Sequence, residues 1–332
     1  MFLSIVAPCM NEEEVLEEFY LRVLSVIKDA KISDYEIILV DDGSKDRTWD
    51  IIRLINQKNR RVKGIQLSRN FGHQSALTAG LDEAAGDLIF IIDSDLQDPP
   101  ELLIPMLNKL GEGFDVVYGQ RRGRAGETKF KLISANLFYR MLSKLADIDI
   151  PKDTGDFRLI NRKVLDAYRK ISESQRFTRG LIAWLGFRQT ALLYDRKPRF
   201  AGVTKYPLHK MINFSIDAMT SFSLKPLRLI ILLGVITSVF SIFAFLYSMF
   251  GWLYSQTVPG WASLMTVICL LSCVQLICLG VVGEYVGRIF AEAKKRPLYL
   301  VQEKADDTTR SVEFDLLKKK LATGYSEESR FH

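Results

Sequence analysis

The sequence predicts an α/β fold, a mostly parallel sheet with helices on both faces, followed by two membrane-spanning helices. Three observations carry this. Short apolar, β-rich runs alternate with segments of helical periodicity through the first part of the chain, the order that builds parallel sheets through crossover helices. Acids stand at two strand ends, Asp41-Asp42 and Asp93-Ser94-Asp95, at the sheet edge where open α/β folds bind ligands. Residues 229–283 contain no Asp, Glu, Lys or Arg, and Gly251 to Trp261 divides them into two runs, each close to the roughly 20 residues a bilayer demands.

Ser4 to Ala7 reads as the first strand and Pro8-Cys9-Met10-Asn11-Glu12 as the loop leaving it. Next, Val15, Phe19, Val23 and Ile27 recur every four residues behind a first turn crowded with acids. One apolar stripe therefore faces the sheet, and the acids complement the helix dipole. Glu36 to Val40 is the second strand. Asp46-Arg47-Thr48 opens a helix, capped by Asp46, that turns Trp49, Ile52 and Ile55 inward. Val62 to Leu67 is a third strand, and Ser68-Arg69-Asn70-Phe71-Gly72-His73 leads into a helix ending near Gly86. Leu88 to Ile92 is an unbroken apolar run, the pattern of a strand covered on both faces. Pro99-Pro100 opens the following helix, and Asp115 to Tyr118 is a fifth strand, left through Gly119-Gln120-Arg121.

The 332 residues divide on this reading into a cytoplasmic α/β domain over 1–206, an amphipathic segment over 207–228, spans over 229–252 and 261–283, and a C-terminal segment and tail over 284–332. The start of the chain has no basic leader or cleavage site and reads as a strand, not a signal peptide. Lys205, Lys210, Lys225 and Arg228 precede the first span, and Arg288, Lys294, Lys295 and Arg296 follow the second. The connecting turn is uncharged, so both termini are expected in the cytoplasm of a multi-pass protein of the cell (inner) membrane. Trp252, Tyr254 and Trp261 fit an aromatic belt at the far interface. The net charge of +6 then belongs partly to the membrane surface and is not read as nucleic-acid binding. Leu132 to Leu145 and Pro207 to Ser223 are amphipathic and fit helices lying in the headgroup layer. Arg296 to Val301 reads as an edge strand seeking a partner chain. The four cysteines have no metal-ligand spacing with histidine and suit packing in a reducing compartment.

Paired carboxylates on a loop suit a hard divalent cation such as Mg²⁺ or Mn²⁺, which shares its shell with substrate phosphates. Asp93 and Asp95 are therefore the expected metal and diphosphate station, and Asp42 and Glu12 the expected acceptors for base and ribose. No Gly-x-Gly-x-x-Gly follows the first strand and no Walker lysine motif occurs, which speaks against a dinucleotide fold or an ATPase. His73, His209 and His332 are too scattered for a metal cluster, and His73 is expected to cap or pack.

Four ordered motifs, Ala7 to Glu12, Val40 to Asp46, Asp93 to Pro100 and Arg199 to Tyr206, resemble the family-2 glycosyltransferases of GT-A fold that use a polyprenyl phosphate acceptor. Ser68 to Gln74 and Asp153 to Leu159 look most like the bactoprenol glucosyltransferases. The resemblance implies that Pro8, Met10, Glu12, Val40 and Asp42 line a uridine pocket, and that Asp93, Ser94, Asp95 and Gln97 meet ribose, metal and diphosphate. It also implies that Arg121 reaches the phosphates, Lys205 closes over the nucleotide, and the enzyme assembles as a homotetramer. Arg122, Lys129 and Lys131 are alternative holders of the lipid phosphate. Asp156 is open to two readings, a base or an acid that orients Arg158 or the sugar.

The implied reaction moves glucose from UDP-glucose to undecaprenyl phosphate with inversion, giving a β-glucosyl lipid phosphate. A phosphate monoester is largely dianionic at neutral pH, its second pKa being about 6, so such an acceptor needs positioning more than a base. The alternatives are another nucleotide sugar, such as a modified aminoarabinose, and a non-catalytic lipid-carrier or flippase-associated protein.

Overall fold

The structure, a computed structural model, describes residues 1–122, 154–173, 176–195, 225–253 and 260–305. The order of elements is β1 (Phe2–Cys9), α1 (Leu16–Asp29), β2 (Asp34–Asp41), α2 (Thr48–Lys58), β3 (Val62–Leu67), α3 (His73–Glu83), β4 (Leu88–Ile91), α4 (Leu103–Gly111), β5 (Val116–Arg121), β6 (Thr154–Asn161), α5 (Arg162–Arg169), α6 (Thr178–Trp184), β7 (Gln189–Tyr194), α7 (Lys225–Leu253), α8 (Trp261–Ala293) and β8 (Val301–Ala305). Two compact units are formed: Met1–Glu127, Ile150–Lys205 and Pro297–His332 in one, Thr128–Asp149 and Tyr206–Arg296 in the other.

The first unit holds one sheet in the order β7-β5-β6-β4-β1-β2-β3-β8. Strands β1 to β4 pair in parallel, and so do β5 and β7. Their uninterrupted apolar sequences follow from cover on both faces. On one face Leu3, Ile5, Ile37 and Leu39 join Phe19 and Val23 of α1 and Ile52 of α2 in the core. On the other, α3 comes so close that a Cβ at Gly80 would stand 2.4 Å from Val6 Cγ1 and 3.1 Å from Val40 Cγ2. Only glycine permits that approach.

Two strands depart from the sequence expectation. β6, which the sequence reading did not foresee, inserts antiparallel between β4 and β5, and the sheet is mostly parallel, as expected. β8, which starts where the expected edge strand over 296–301 ends, pairs antiparallel with β3 of its own chain and closes that end of the sheet. Leu300 O accepts from Ser68 N at 2.9 Å, Trp49 Nε1 donates to Glu303 at 3.2 Å, and Tyr299 donates to Asp82 at 2.9 Å. Asn56 Nδ2 donates to both Val62 O (2.6 Å) and Ala305 O (3.1 Å). Asn56→Leu keeps the side-chain size but strips both carbonyls of that donor, at about 1–3 kcal/mol for each group left unsatisfied. Urea denaturation should show the loss, and amide exchange should quicken first in β8.

The second unit contributes α7 and α8, whose described side chains include exposed Ile231, Phe243, Leu276 and Leu279. A helix apolar all round belongs in a core or a bilayer. Among the described residues one segment, Leu271–Ala293, is long and apolar enough to cross a membrane by length and composition, while the apolar run Ile230–Phe243 is shorter. The passing segment starts ten residues later than the expected second span and takes in Glu284 and Arg288, which pair across one turn at 3.0 Å. The amphipathic stretches 132–145 and 207–223 and the tail after 305 lie outside the described residues.

Candidate functional site

The loops leaving β1, β2, β3 and β4 converge on one cavity of about 250 Å³. Pro8 and Cys9 come from the end of β1, Met10 and Glu12 from the loop after it, Asp42 from the second loop, Asn70 and Gly72 from the third with His73 at the start of α3, and Asp93, Ser94 and Asp95 from the fourth. The first two loops are interlocked. Asn11 N donates to Ser44 Oγ and Asn11 Oδ1 accepts from Lys45 N, both at 2.9 Å, and Glu12 N donates to Thr48 Oγ1 at 2.9 Å. Asp46 accepts from Thr48 N at 3.0 Å from one residue before the helix cap; the N-cap of α2 is Arg47, with no side-chain cap, and not Asp46 as expected.

Asp42 is almost fully buried, and its two oxygens accept from Phe71 N (2.8 Å) and Gly72 N (3.0 Å). It therefore holds the 68–72 loop as well as facing the cavity. Burial raises its pKa, and the two backbone bonds work against that rise. Cys9 is buried, and burial pushes its thiol up, so it is no nucleophile at neutral pH.

In the fourth loop Asp95 Oδ1 accepts from Gln97 N at 3.1 Å, across a turn in which Leu96 adopts φ +58. A left-handed, β-carbon-bearing residue is strained; Leu96 is held there by burial in the core. Ser94 is 2 % exposed, and its hydroxyl donates to Pro8 O at 3.0 Å, tying this loop to the first. Two half-buried carboxylates, Asp93 and Asp95, thus share one cavity with Glu12. Such hard oxygen donors fit Mg²⁺ or Mn²⁺. Among the described residues there is no group of three or more His, Cys, Asp or Glu that could hold an ion unaided.

His73 is the first residue of α3 and does not cap it. Its Nε2 lies 2.9 Å from Asp93 Oδ1 and its Nδ1 3.6 Å from Asp156 Oδ2. Burial alone would lower its pKa, but the Asp93 bond and the charges of Asp93 and Asp156 outweigh that and lift it to about 9. Asp156, on β6, also accepts from Gln74 Nε2 at 2.7 Å and stands 3.9 Å from Arg179 Nε. Arg158 bonds the carbonyls of Asp156 and Gly155, not the Asp156 carboxylate.

The other expected residues are placed as follows. Val40 is fully buried beneath α3 and is not among the residues lining the cavity, although its register partner Pro8 is. Gln97 meets Asp95 through its backbone, and its side chain is not among the lining either. Arg122 pairs with Asp195 at 3.6 Å in the open. Lys129, Lys131 and Lys205 lie outside the described residues.

The sequence profile of glycosyl transferase family 2 matches residues 4–169, and that of the GtrB C-terminal hairpin matches residues 225–289. The chain is 51 % identical over 305 residues to the uncharacterized glycosyltransferase YkcC of Bacillus subtilis, covering 90 % of this chain and 93 % of that one. It is 36 % identical over 309 residues to the SfII prophage-derived bactoprenol glucosyl transferase of Shigella flexneri, covering 91 % and 98 %. The chain belongs to glycosyl transferase family 2. It is a glycosyltransferase with a GT-A-like α/β fold.

Within this transferase a second set of contacts escaped the sequence reading. Arg121 ends β5 opposite Tyr194 of β7 in the parallel register. Tyr194 accepts from Arg121 Nε at 3.4 Å and donates a short bond to buried Asp98, while its ring packs edge-on against Phe157, centroids 5.6 Å apart. Burial and the Asp98 charge push the Tyr194 hydroxyl's pKa up, so it stays a donor. Tyr194→Phe removes only the hydroxyl, keeps the ring, and takes that donor from Asp98. A loss of about 1–3 kcal/mol is expected, read as a lowered thermal midpoint, with Phe157 packing retained.

Proposed function

We propose that this family-2 enzyme moves glucose from UDP-glucose to undecaprenyl phosphate, inverting the anomeric centre, at the cytoplasmic face of the cell membrane. The single observation that carries the reading is the convergence of Glu12, Asp42, Asp93 and Asp95 on one cavity at the carboxyl edge of the sheet. Similarity to a bactoprenol glucosyl transferase along 98 % of its length supports the acceptor and the sugar.

In this reading Pro8, Met10, Glu12 and Asp42 receive the uridine, Asp42 through oxygen lone pairs left over from its loop bonds. Asp93 and Asp95 would hold Mg²⁺ or Mn²⁺, which neutralises charge on the departing diphosphate. The start of α3 at Gly72 and His73 adds the positive end of a helix dipole to the same cavity wall. Arg121 and Lys205 serve the phosphates, and Arg122, Lys129 or Lys131 the lipid phosphate. That phosphate is already a dianion at neutral pH, so the residues around it have to align it with the anomeric carbon, where positioning and fixed charge supply the rate. Asp156, engaged by Gln74 and next to His73, is assigned to orientation and not to proton removal. The membrane reading, with spans over 229–252 and 261–283, both termini cytoplasmic and a homotetrameric assembly, belongs to the same proposal; the exposed apolar side chains of α7 and α8, such as Ile231, Phe243, Leu276 and Leu279, support the spans.

The test is full-length protein in liposomes with undecaprenyl phosphate, Mg²⁺ and a panel of radiolabelled nucleotide sugars. Lipid-linked label from UDP-glucose alone is the expected result. Label from a different sugar, such as a modified aminoarabinose, refutes the donor; nucleotide binding without lipid product refutes the acceptor.

A further inference from the structure

The cavity wall contains a histidine that neither the fold nor the proposed reaction requires. His73 sits where a helix begins, at a position that ordinarily carries a small capping or acidic residue. Its backbone is placed by Asp42, whose two oxygens take the amides of Phe71 and Gly72 immediately before it. Gly72 itself runs at φ +98, a conformation that turns the chain sharply so that the next side chain points across the cavity. The imidazole then lies between two acids from different elements: Asp93 in the loop after β4, 2.9 Å from Nε2, and Asp156 on β6, 3.6 Å from Nδ1. Side-chain exposure falls from 44 % at His73 and 28 % at Asp93 to 5 % at Asp156, so the ring links the open cavity to a buried anchor. Asp156 is in turn held by Gln74 Nε2, whose Oε1 accepts from Thr178 N at 2.9 Å at the start of α6.

We propose that His73 is a positioning residue that fixes the rotamer of Asp93 toward the divalent cation, with Asp156 as the anchor of the ring. The inference rests on the metal-dependent reading above. A carboxylate at a cavity mouth has several rotamers of similar energy; a hydrogen bond to one oxygen selects one of them and leaves the other oxygen to face the ion. Outer partners of this kind typically carry 10- to 100-fold in metal affinity.

The experiment measures Mn²⁺ binding to the full chain in detergent, by the loss of the free-ion electron paramagnetic resonance signal in the presence of UDP, together with thermal melting. Three variants separate the roles. His73→Phe removes both nitrogens. His73→Gln returns a donor near the position of Nε2, toward Asp93. His73→Asn returns one near Nδ1, toward Asp156. The expected result is Mn²⁺ affinity weakened about 10- to 100-fold in the Phe and Asn variants and restored to within about threefold in the Gln variant, with melting unchanged between Gln and Asn. Should the Phe variant not fold, the Gln and Asn pair still decides. Parent-like affinity in the Asn or Phe variant, or a Gln variant as weak as Asn, overturns the inference alone. No Mn²⁺ binding by the parent chain with UDP overturns it together with the metal-dependent reading.

Discussion

Asp95→Asn is expected to lower lipid glucosylation by about two to three orders of magnitude, the scale seen when one pre-organised electrostatic group is removed from a transition state, while the melting temperature stays close to that of the parent chain. The separation follows from what Asp95 touches. Its Oδ1 accepts the Gln97 amide at 3.1 Å, and an asparagine oxygen accepts the same bond. The turn through Leu96 at φ +58 therefore survives, and Leu96 stays in the core. What disappears is one full negative charge from a cavity that already gathers Glu12, Asp42 and Asp93. In a protein at rest that loss relieves like-charge repulsion, so stability should hold or rise slightly. In turnover it removes half of a two-carboxylate cation site, and extra Mg²⁺ should recover part of the rate. The measurement is initial velocity against Mg²⁺ concentration, with a melt on the same preparation; a variant that turns over at the parent rate at every Mg²⁺ concentration defeats the reading of this loop.

Much of the first unit was legible because its strands are covered on both faces. Runs such as Ile37 to Val40 and Ile89 to Ile92, all buried, carry no polar interruption to confuse strand with loop, and the acids that end them mark the ligand edge. β6 hid for the opposite reason. Thr154, Asp156 and Arg158 are buried polar residues in a strand, tolerated there because Arg158 finds the Asp156 and Gly155 carbonyls and Asp156 finds Gln74. Periodicity cannot announce a partner such as Gln74, 82 residues from Asp156. The pairing of β8 with β3 is longer still in sequence, and a short strand with a polar centre, Val-Gln-Glu-Lys-Ala, has no apolar alternation to declare it. In the site, the acids were legible as a pattern. Their division of labour was not, because Asp42's two backbone bonds, the Ser94 bond to Pro8 and the bridge made by His73 depend on loops that only folding brings together.

Gly43→Ala is expected to damage both stability and UDP binding through one collision. Gly43 has φ +68, and a Cβ there would stand 2.5 Å from Arg69 C and 2.6 Å from Asn70 N, backbone atoms of the neighbouring loop. A flexible side chain could swing away; a backbone can only shift as a segment. The segment in question runs on to Phe71 and Gly72, whose amides Asp42 holds, and to His73 beside Asp93. The left-handed conformation alone costs an alanine about 1–2 kcal/mol, and the displaced loop bonds bring the expected total to roughly 3 kcal/mol or more. UDP affinity should fall by at least about tenfold, or 1.4 kcal/mol, since the loop forms one wall of the cavity. Gly186→Ala is the matched control: φ is +73 there, and nothing lies within 4 Å of the added methyl. It carries the backbone cost without the collision, so its midpoint should drop by the smaller amount and its UDP isotherm should overlay that of the parent. Calorimetric titration of both variants with UDP, beside their melts, reads the difference directly. Equal UDP affinity in the two would mean that the 68–72 loop does not shape the nucleotide site.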